Sequence, residues 1–322
     1  MTNFAYVKAG SVAEAVKALS TKGARLHAGG TDLLGCVRDG IMPVDKVVSV
    51  SNIKELRGIS ARPDGGLRIG ALATVAEVAA HAGIAEKYSV LAQAAADVAS
   101  PQLRNQGTVG GNLCQRPRCW YFRGDFHCAK KGGDMCYSVD GENQYHAVFG
   151  GGPCFFVHPS DLAVALAALQ AQLVIAGTAG TKSVKIQDFF VGPDKSIEKE
   201  NILAPNEIVT EIQLPPVAGK IRSSYRKMRA RRAWDFALVS VACVLQFENQ
   251  NVTGGRIFLG GVGPYPWRAE GAEKAVIGKK IDNAVAAAAG TAATAGASPL
   301  RDNAYKVDMV QGVVEESILG FA

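Results

Sequence analysis

Apolar residues recur along the chain with two different periods. In SVAEAVKAL, Val12, Val16 and Leu19 fall on one helical face, and Ser11 and Glu14 have capping-box spacing, so a helix is expected there. Thr74 and Glu77 repeat that spacing ahead of VAEVAAHAGI. KYSVLAQAAADVAS is expected to be a helix stopped by Ser100-Pro101. SDLAVALAALQA has the pattern of a helix capped at Ser160 or Asp161. Between these lie short β-type runs. ARLH enters a glycine turn, and DKVVSVSNI, GLRIGAL, AQLVIAG, KSVKIQDFF and EIVTEIQLP follow.

Pro215-Pro216 and the VAGK after them mark a hinge. Beyond it come a strand (SSYRKM), an apolar segment (FALVSVACVLQFE) and a strand (GGRIFLGGVG). Helices at WRAEGAEKAVIG, DNAVAAAAGTAATAGA and YKVDMVQGVVEESIL complete a small α+β unit. About forty residues around 113–156 have no clear period, which is long for an idle loop.

The 322 residues, 48% hydrophobic and 20% charged, make an ordinary globular balance with room for two domains. No apolar run approaches the length of a bilayer span. The N-terminus has neither the basic nor the apolar region of a secretory signal. A net charge of +6 argues against a nucleic-acid binder. The basic run YRKMRARRAW is expected to be a solvated face or a dock for an acidic partner.

Seven cysteines are too uneven a set for a disulfide framework. Cys36 and Cys243 lie apart, and Cys114 sits against a glycine turn as a bystander. Cys119, Cys128, Cys136 and Cys154 are separated by eight, seven and seventeen residues. That is neither the CxxC pairing of structural zinc nor a bacterial ferredoxin run. Four thiolates need only converge, so a [4Fe–4S] cluster, a zinc ion, or free or paired thiols all fit the spacing. His127, beside Cys128, is an alternative ligand. The histidines form no HExxH motif, and there is no nucleophile elbow or P-loop.

HAGGTDLL (His27–Leu34) and GTVGGN (Gly107–Asn112) each put paired glycines beside a hydroxyl. Such turns let the backbone approach a ligand and offer N–H groups to an anion. Two of them, about eighty residues apart, suit a dinucleotide. The glycine spacing is not that of a Rossmann site.

AGGTDLL, IGALAT, GTVGGNLC, HPSDLAVALAAL, KMRARRAWDFALVSVA and GGVGPYPWRA occur in the order of the FAD-binding medium subunits of the molybdenum hydroxylases, which the chain resembles over nearly its whole length. The insert QRPRCWYFR…HCAKKGGDMC…GENQYHAVFGGGPC resembles that of aldehyde oxidoreductases and of 4-hydroxybenzoyl-CoA reductase, whose FAD subunits carry a [4Fe–4S] cluster. The resemblance implies a vanillyl-alcohol-oxidase-like (PCMH-type) α+β FAD domain over 1–217, with a cysteine-rich insert at about 113–156. A C-terminal α+β domain over 218–322 would follow.

It further implies that Leu26, His27, Ala28, Gly29, Gly30, Thr31, Asp32, Leu33 and Leu34 wrap the FAD pyrophosphate. Val98, Thr108, Val109, Gly110, Gly111 and Asn112 would form the second loop. Asp161 would lie along the ribityl or ribose chain, and Val209 and Lys227 near the isoalloxazine. Cys119, Cys128, Cys136 and Cys154 would hold the cluster. No catalytic acid or base is expected. The implied role is electron transfer from a small subunit with two [2Fe–2S] clusters, in complex with a molybdopterin-containing large subunit, to an external acceptor. Other readings are a 4-hydroxybenzoyl-CoA reductase-like or xanthine dehydrogenase-like FAD subunit, or a zinc-stapled interaction subunit without flavin. The implied compartment is the cytoplasm, or the periplasm by co-export with a signal-bearing partner.

Overall fold

The computed structural model describes residues 3–322. The chain opens with β1 (Ala5–Lys8), α1 (Val12–Leu19), β2 (Ala24–His27), α2 (Leu33–Arg38) and β3 (Lys46–Ser49). Their three strands form a parallel sheet in the order β1-β3-β2. The Ser11 hydroxyl caps α1, which turns Val16 and Leu19 onto this sheet.

A second unit starts with β4 (Ile59–Ala61) and β5 (Leu67–Gly70). Helices α3 (Val75–Ala80), α4 (Ala82–Lys87), α5 (Ser89–Ala96), α6 (Pro101–Gln106), α7 (Val109–Leu113), α8 (Trp120–Arg123) and α9 (Asp161–Ala168) follow. Then come β6 (Gln172–Gly177), β7 (Gly180–Lys185) and β8 (Ile208–Leu214). The sheet is antiparallel, in the order β4-β5-β8-β6-β7.

The third unit is a four-stranded antiparallel sheet of β9 (Lys220–Met228), β10 (Val239–Glu248), β11 (Asn251–Gly260) and β12 (Trp267–Arg268). It is backed by α10 (Glu270–Val276), α11 (Asn283–Ala293) and α12 (Tyr305–Leu319). The architecture is the expected α+β one.

Two elements join the units. Every residue of α9 is buried, because it packs against α5 on one side and β10 and β11 on another. Its alanines let three neighbours approach at once. Val239, Val241, Cys243 and Leu245 of β10 face the C-terminal helices, while Ala242 and Val244 face the core of the second unit. A strand buried on both faces shows no alternation, which is why the sequence there reads only as an apolar segment.

Two local expectations are corrected. Pro101 does not merely end a helix. It is the first residue of α6, with Ser100 as the N-cap, a place where a missing N–H costs nothing. GTVGGN is not an open turn either, since Thr108 accepts a hydrogen bond from the Gly111 N–H and starts α7. Among the described residues no helix is long and apolar enough to cross a membrane.

Candidate functional site

The two glycine segments meet. Gly30, at φ +74°, takes the chain from the end of β2 into α2 through a left-handed turn that favours glycine. A Cβ on Gly29 would stand 2.1 Å from the Gln106 carbonyl oxygen, so only glycine lets the loops touch. Gln106 Nε2 donates to Gly29 O at 3.0 Å and ties them. The second segment is braced from behind: the N–H groups of Val109 and Gly110 donate to the carbonyls of Ala73 and Ala71. A Cβ on Gly110 would lie 2.9 Å from Ala71 Cβ. Asn112 Oδ1 accepts from Ser160 Oγ at 2.5 Å, which links this segment to the start of α9.

The other expected cofactor residues divide. Ala28 and Thr31 complete the first turn, and Leu26 is half-buried behind it. Leu33 and Leu34 belong to α2, with Leu34 exposed. Val98 is half-buried one turn before α6, and its carbonyl accepts from Arg104. Val209 is packed in the core on β8 and does not line the pocket beside Asp161.

Asp161 and Lys227 face each other. Lys227 Nζ lies 2.7 Å from Asp161 Oδ2, and Tyr225 Oη donates to Oδ1 at 2.7 Å. Burial raises the Asp161 pKa against the pull of Lys227. Asp161 and Lys227, expected as separate contacts to a cofactor, thus form one mutually paired, buried ion pair.

Arg118, Val157, His158, Ser160, Asp161, Phe236 and Ser240 enclose a pocket of about 30 Å³ next to this pair. That is room for one polar group, so the bulk of a dinucleotide would lie along the loops outside. Among the described residues, two buried polar atoms on the wall, Arg118 Nε and His158 Nε2, have no hydrogen-bond partner, nor has His27 Nδ1 at the first loop. Buried polar groups are normally satisfied, so these atoms fit a ligand with polar groups. The larger hollow, about 360 Å³ and walled by Phe190, Phe258, Tyr265 and Trp267, contains neither glycine segment.

Burial pushes His158 down to about 4, so the ring is neutral at pH 7. Its folded-state value is depressed, so its contribution is present above about 6.5 and is lost as pH falls towards about 4. The size is on the order of 3 kcal/mol for a shift of that extent. Thermal melts of His158→Asn, which keeps an acceptor for the Ser160 N–H, should lose stability less steeply than wild type over that window. Parallel melting curves would show that His158 is not the group responsible.

Asp32 was expected at the pyrophosphate. Its carboxylate instead turns to the cysteine insert. It accepts from Arg116 N at 2.7 Å and from Arg123 Nη2 at 2.7 Å, and pairs with Arg118 Nη2 at 2.9 Å. Arg123 Nη1 also reaches Cys36 Sγ at 2.9 Å. The glycine loop and the insert thus share one carboxylate.

Within the insert, the Cys136 thiol is held well below the usual range, at about 5, by hydrogen bonds from Cys154 and then Ser138, whose Oγ is 3.0 Å away. Cys154 is raised by the same contact. Cys119 and Cys128 share a small apolar cluster with Cys36 and Phe122. Burial pushes Cys119 up to about 11, with charge coupling to Cys136 and Cys128 adding to it. The four thiols gather in one region, yet among the described residues no three His, Cys, Asp or Glu side chains lie so as to hold one metal ion. Cys243 is buried in an apolar core and Cys114 is half-buried against another, and desolvation pushes each up to about 12.

Several participants had no sequence signal. His146, not the His127 beside Cys128, is the histidine at a thiol, with Nε2 3.3 Å from Cys119 Sγ. Segment 140–147 is clasped by the C-terminal unit: Arg301 donates to Gly141 O, Asn303 and Lys306 to His146 O, and Tyr305 to Gln144 O. Burial lowers Lys306 to about 7. The basic run also departs from a free docking face. Arg226 pairs with Glu316, Lys227 with Asp161, Arg229 with Asp97 and Arg231 with Asp235.

Comparisons with known proteins show which family the chain resembles. A family model described as the FAD binding domain in molybdopterin dehydrogenase matches residues 2–217, and one described as the CO dehydrogenase flavoprotein C-terminal domain matches residues 223–320. The chain is 39% identical to an aldehyde oxidoreductase FAD-binding subunit of Escherichia coli K12, over 85% of this chain and 86% of that one. It is 28% identical to the glyceraldehyde dehydrogenase medium chain of Sulfolobus acidocaldarius, over 87% and 83%. Among solved structures, carbon monoxide dehydrogenase from Hydrogenophaga pseudoflava superposes with a TM-score of 0.77 at 28% identity, over 98% of this chain and 96% of that one.

Proposed function

The chain belongs to the FAD-binding medium subunits of the molybdenum hydroxylases, and from that premise we propose that it is the electron-transfer subunit of a molybdenum-dependent aldehyde oxidoreductase. The family makes it the FAD-carrying part of an oxidoreductase. The aldehyde assignment rests on the 39% relative and on the cysteine insert. In this reading a large subunit with molybdopterin oxidises the substrate, and a small [2Fe–2S] subunit delivers the electrons. The observation that carries the reading is the contact between Gly29 and the Gln106–Gly107 backbone, with unsatisfied polar atoms at His27, Arg118 and His158.

Bound FAD would supply the exchange between one-electron carriers and a two-electron acceptor. The chain's own residues do the rest. The glycines of 27–34 and 107–112 admit the pyrophosphate, the Asp161–Lys227 pair sets a fixed polar wall, and apolar packing around α9 excludes water. We assign 1–217 to the FAD domain, 113–156 to its insert and 218–322 to the C-terminal domain. Co-expressing the chain with its partner subunits and adding an aldehyde without oxygen or any other acceptor should bleach the flavin absorbance. A flavin that stays oxidised while the aldehyde is consumed would refute the electron-transfer role.

We further propose that Cys119, Cys128, Cys136 and Cys154 hold one [4Fe–4S] cluster. The support is a set of four thiols in one insert, mutually coupled and partly buried. Thiolates are the usual ligands of such a cluster. Iron analysis should find about four irons per chain. Serine at any of the four positions should abolish it, and Cys114→Ser should not. Stoichiometric zinc without iron would overturn the assignment.

A further inference from the structure

Arg118 is the one residue of the insert that lines the pocket beside Asp161, and it immediately precedes Cys119. Asp32 of the first glycine loop holds its Nη2 at 2.9 Å, Gln115 Oε1 lies 3.3 Å from the same nitrogen, and the guanidinium stands over the Phe236 ring at 5.1 Å. Its Nε is buried without a partner. The charges around it do not cancel. Asp161 is matched by Lys227, but Asp32 is shared by Arg118 and Arg123, which leaves a positive excess at the pocket wall. His158 on the same wall is neutral at pH 7. Arginine keeps its charge under such burial.

We infer that Arg118 is the residue through which the cysteine insert acts on the flavin: its guanidinium gives the pocket a fixed positive charge that makes the cofactor easier to reduce, and the ordering of the insert around its thiols helps Asp32 and Phe236 to hold it there. The inference rests on the FAD and cluster readings above. Two-electron reduction of FAD at neutral pH takes up two electrons and one proton and leaves FADH⁻, one negative charge more than the oxidised form. The electrons come from reduced iron–sulfur centres of a partner in the complex, or from dithionite in a titration. A nearby cation favours that added charge. Because residues 118 and 119 are adjacent, a thiol bound to metal fixes the peptide from which the guanidinium projects. Arg118 is a positioning and tuning residue, with no proton to give at neutral pH.

The test is a dithionite titration with redox mediators of the FAD-loaded full chain, with iron and FAD counted in every sample. Arg118→Gln should lower the reduced-to-oxidised flavin ratio about tenfold or more at a fixed potential, and Arg118→Lys should stay near wild type. Cys136→Ser should shift the flavin in the same direction, and the double variant Arg118→Gln/Cys136→Ser should add little, as expected of residues acting through one contact. An Arg118→Gln chain with full FAD and iron and an unshifted flavin would overturn the inference. So would a lysine variant shifted as far as the glutamine one, or additive shifts in the double variant. If Arg118→Gln sheds FAD, an Arg118→Lys chain with flavin at the wild-type potential supports the role of charge, whereas loss from both overturns it. Failures of the underlying readings look different: wild type without FAD refutes the flavin site, and wild type with FAD but no iron refutes the cluster.

Discussion

Gly29→Val is expected to leave a folded chain that binds FAD markedly more weakly. The Cβ would be 2.1 Å from the Gln106 carbonyl oxygen and 3.2 Å from Gly107 Cα, both backbone atoms that cannot swing aside. The two glycine segments must separate, and the Gln106–Gly29 hydrogen bond goes with them. Overpacking of this kind costs about 1–3 kcal/mol or more. Spent on holding the loops apart, that weakens binding by about ten- to hundredfold. Gly35→Ala is the control: it lies in α2 with nothing within 4 Å of its added Cβ, so affinity and melting temperature should hold or rise slightly. Equilibrium titration with FAD, followed by flavin fluorescence, reads both variants. Wild-type affinity in Gly29→Val would mean the ligand does not use this contact.

Lys227→Met is expected to be among the most destabilising single changes in the chain. The lysine side chain is fully buried, and it is the only cation paired with Asp161 among the described residues. Removing one partner of a buried pair costs about 3–5 kcal/mol, because the other charge stays behind. That corresponds to a fall in melting temperature of roughly 6–20 °C for a domain of this size. The sign with pH follows from Asp161. Burial already raises its pKa, and loss of Lys227 raises it further. A carboxyl raised in the folded state favours folding while protonated and loses that contribution as pH rises. The deficit of Lys227→Met should therefore shrink as pH is lowered and grow towards neutrality. Asp161→Asn added to Lys227→Met should recover part of it. Equal melting of Lys227→Met and wild type at neutral pH would show that the pair contributes nothing.

The sequence makes plain those parts of the fold whose cause is local. Ser11, Thr74 and Ser160 announce helix starts because a capping hydroxyl and its N–H are three residues apart. β10 was opaque because both its faces are buried, and only the tertiary stack of α9 against the C-terminal helices explains that. The site divides in the same way. The paired glycines are legible because Gly29 and Gly110 abut neighbouring chain segments and Gly30 has a left-handed backbone. Asp32 is not, since its partners Arg116, Arg118 and Arg123 lie more than eighty residues away and are brought by the insert. His146 and Lys306 have no motif. Their roles arise where segment 140–147 docks on the start of α12.

The measurement that bears most directly on the central claim is the flavin content of the purified, folded chain. Acid precipitation followed by chromatography of the supernatant should release close to one FAD per chain, and the oxidised protein should show structured flavin bands. A folded chain that carries no flavin and binds none when FAD is added in excess would contradict the account.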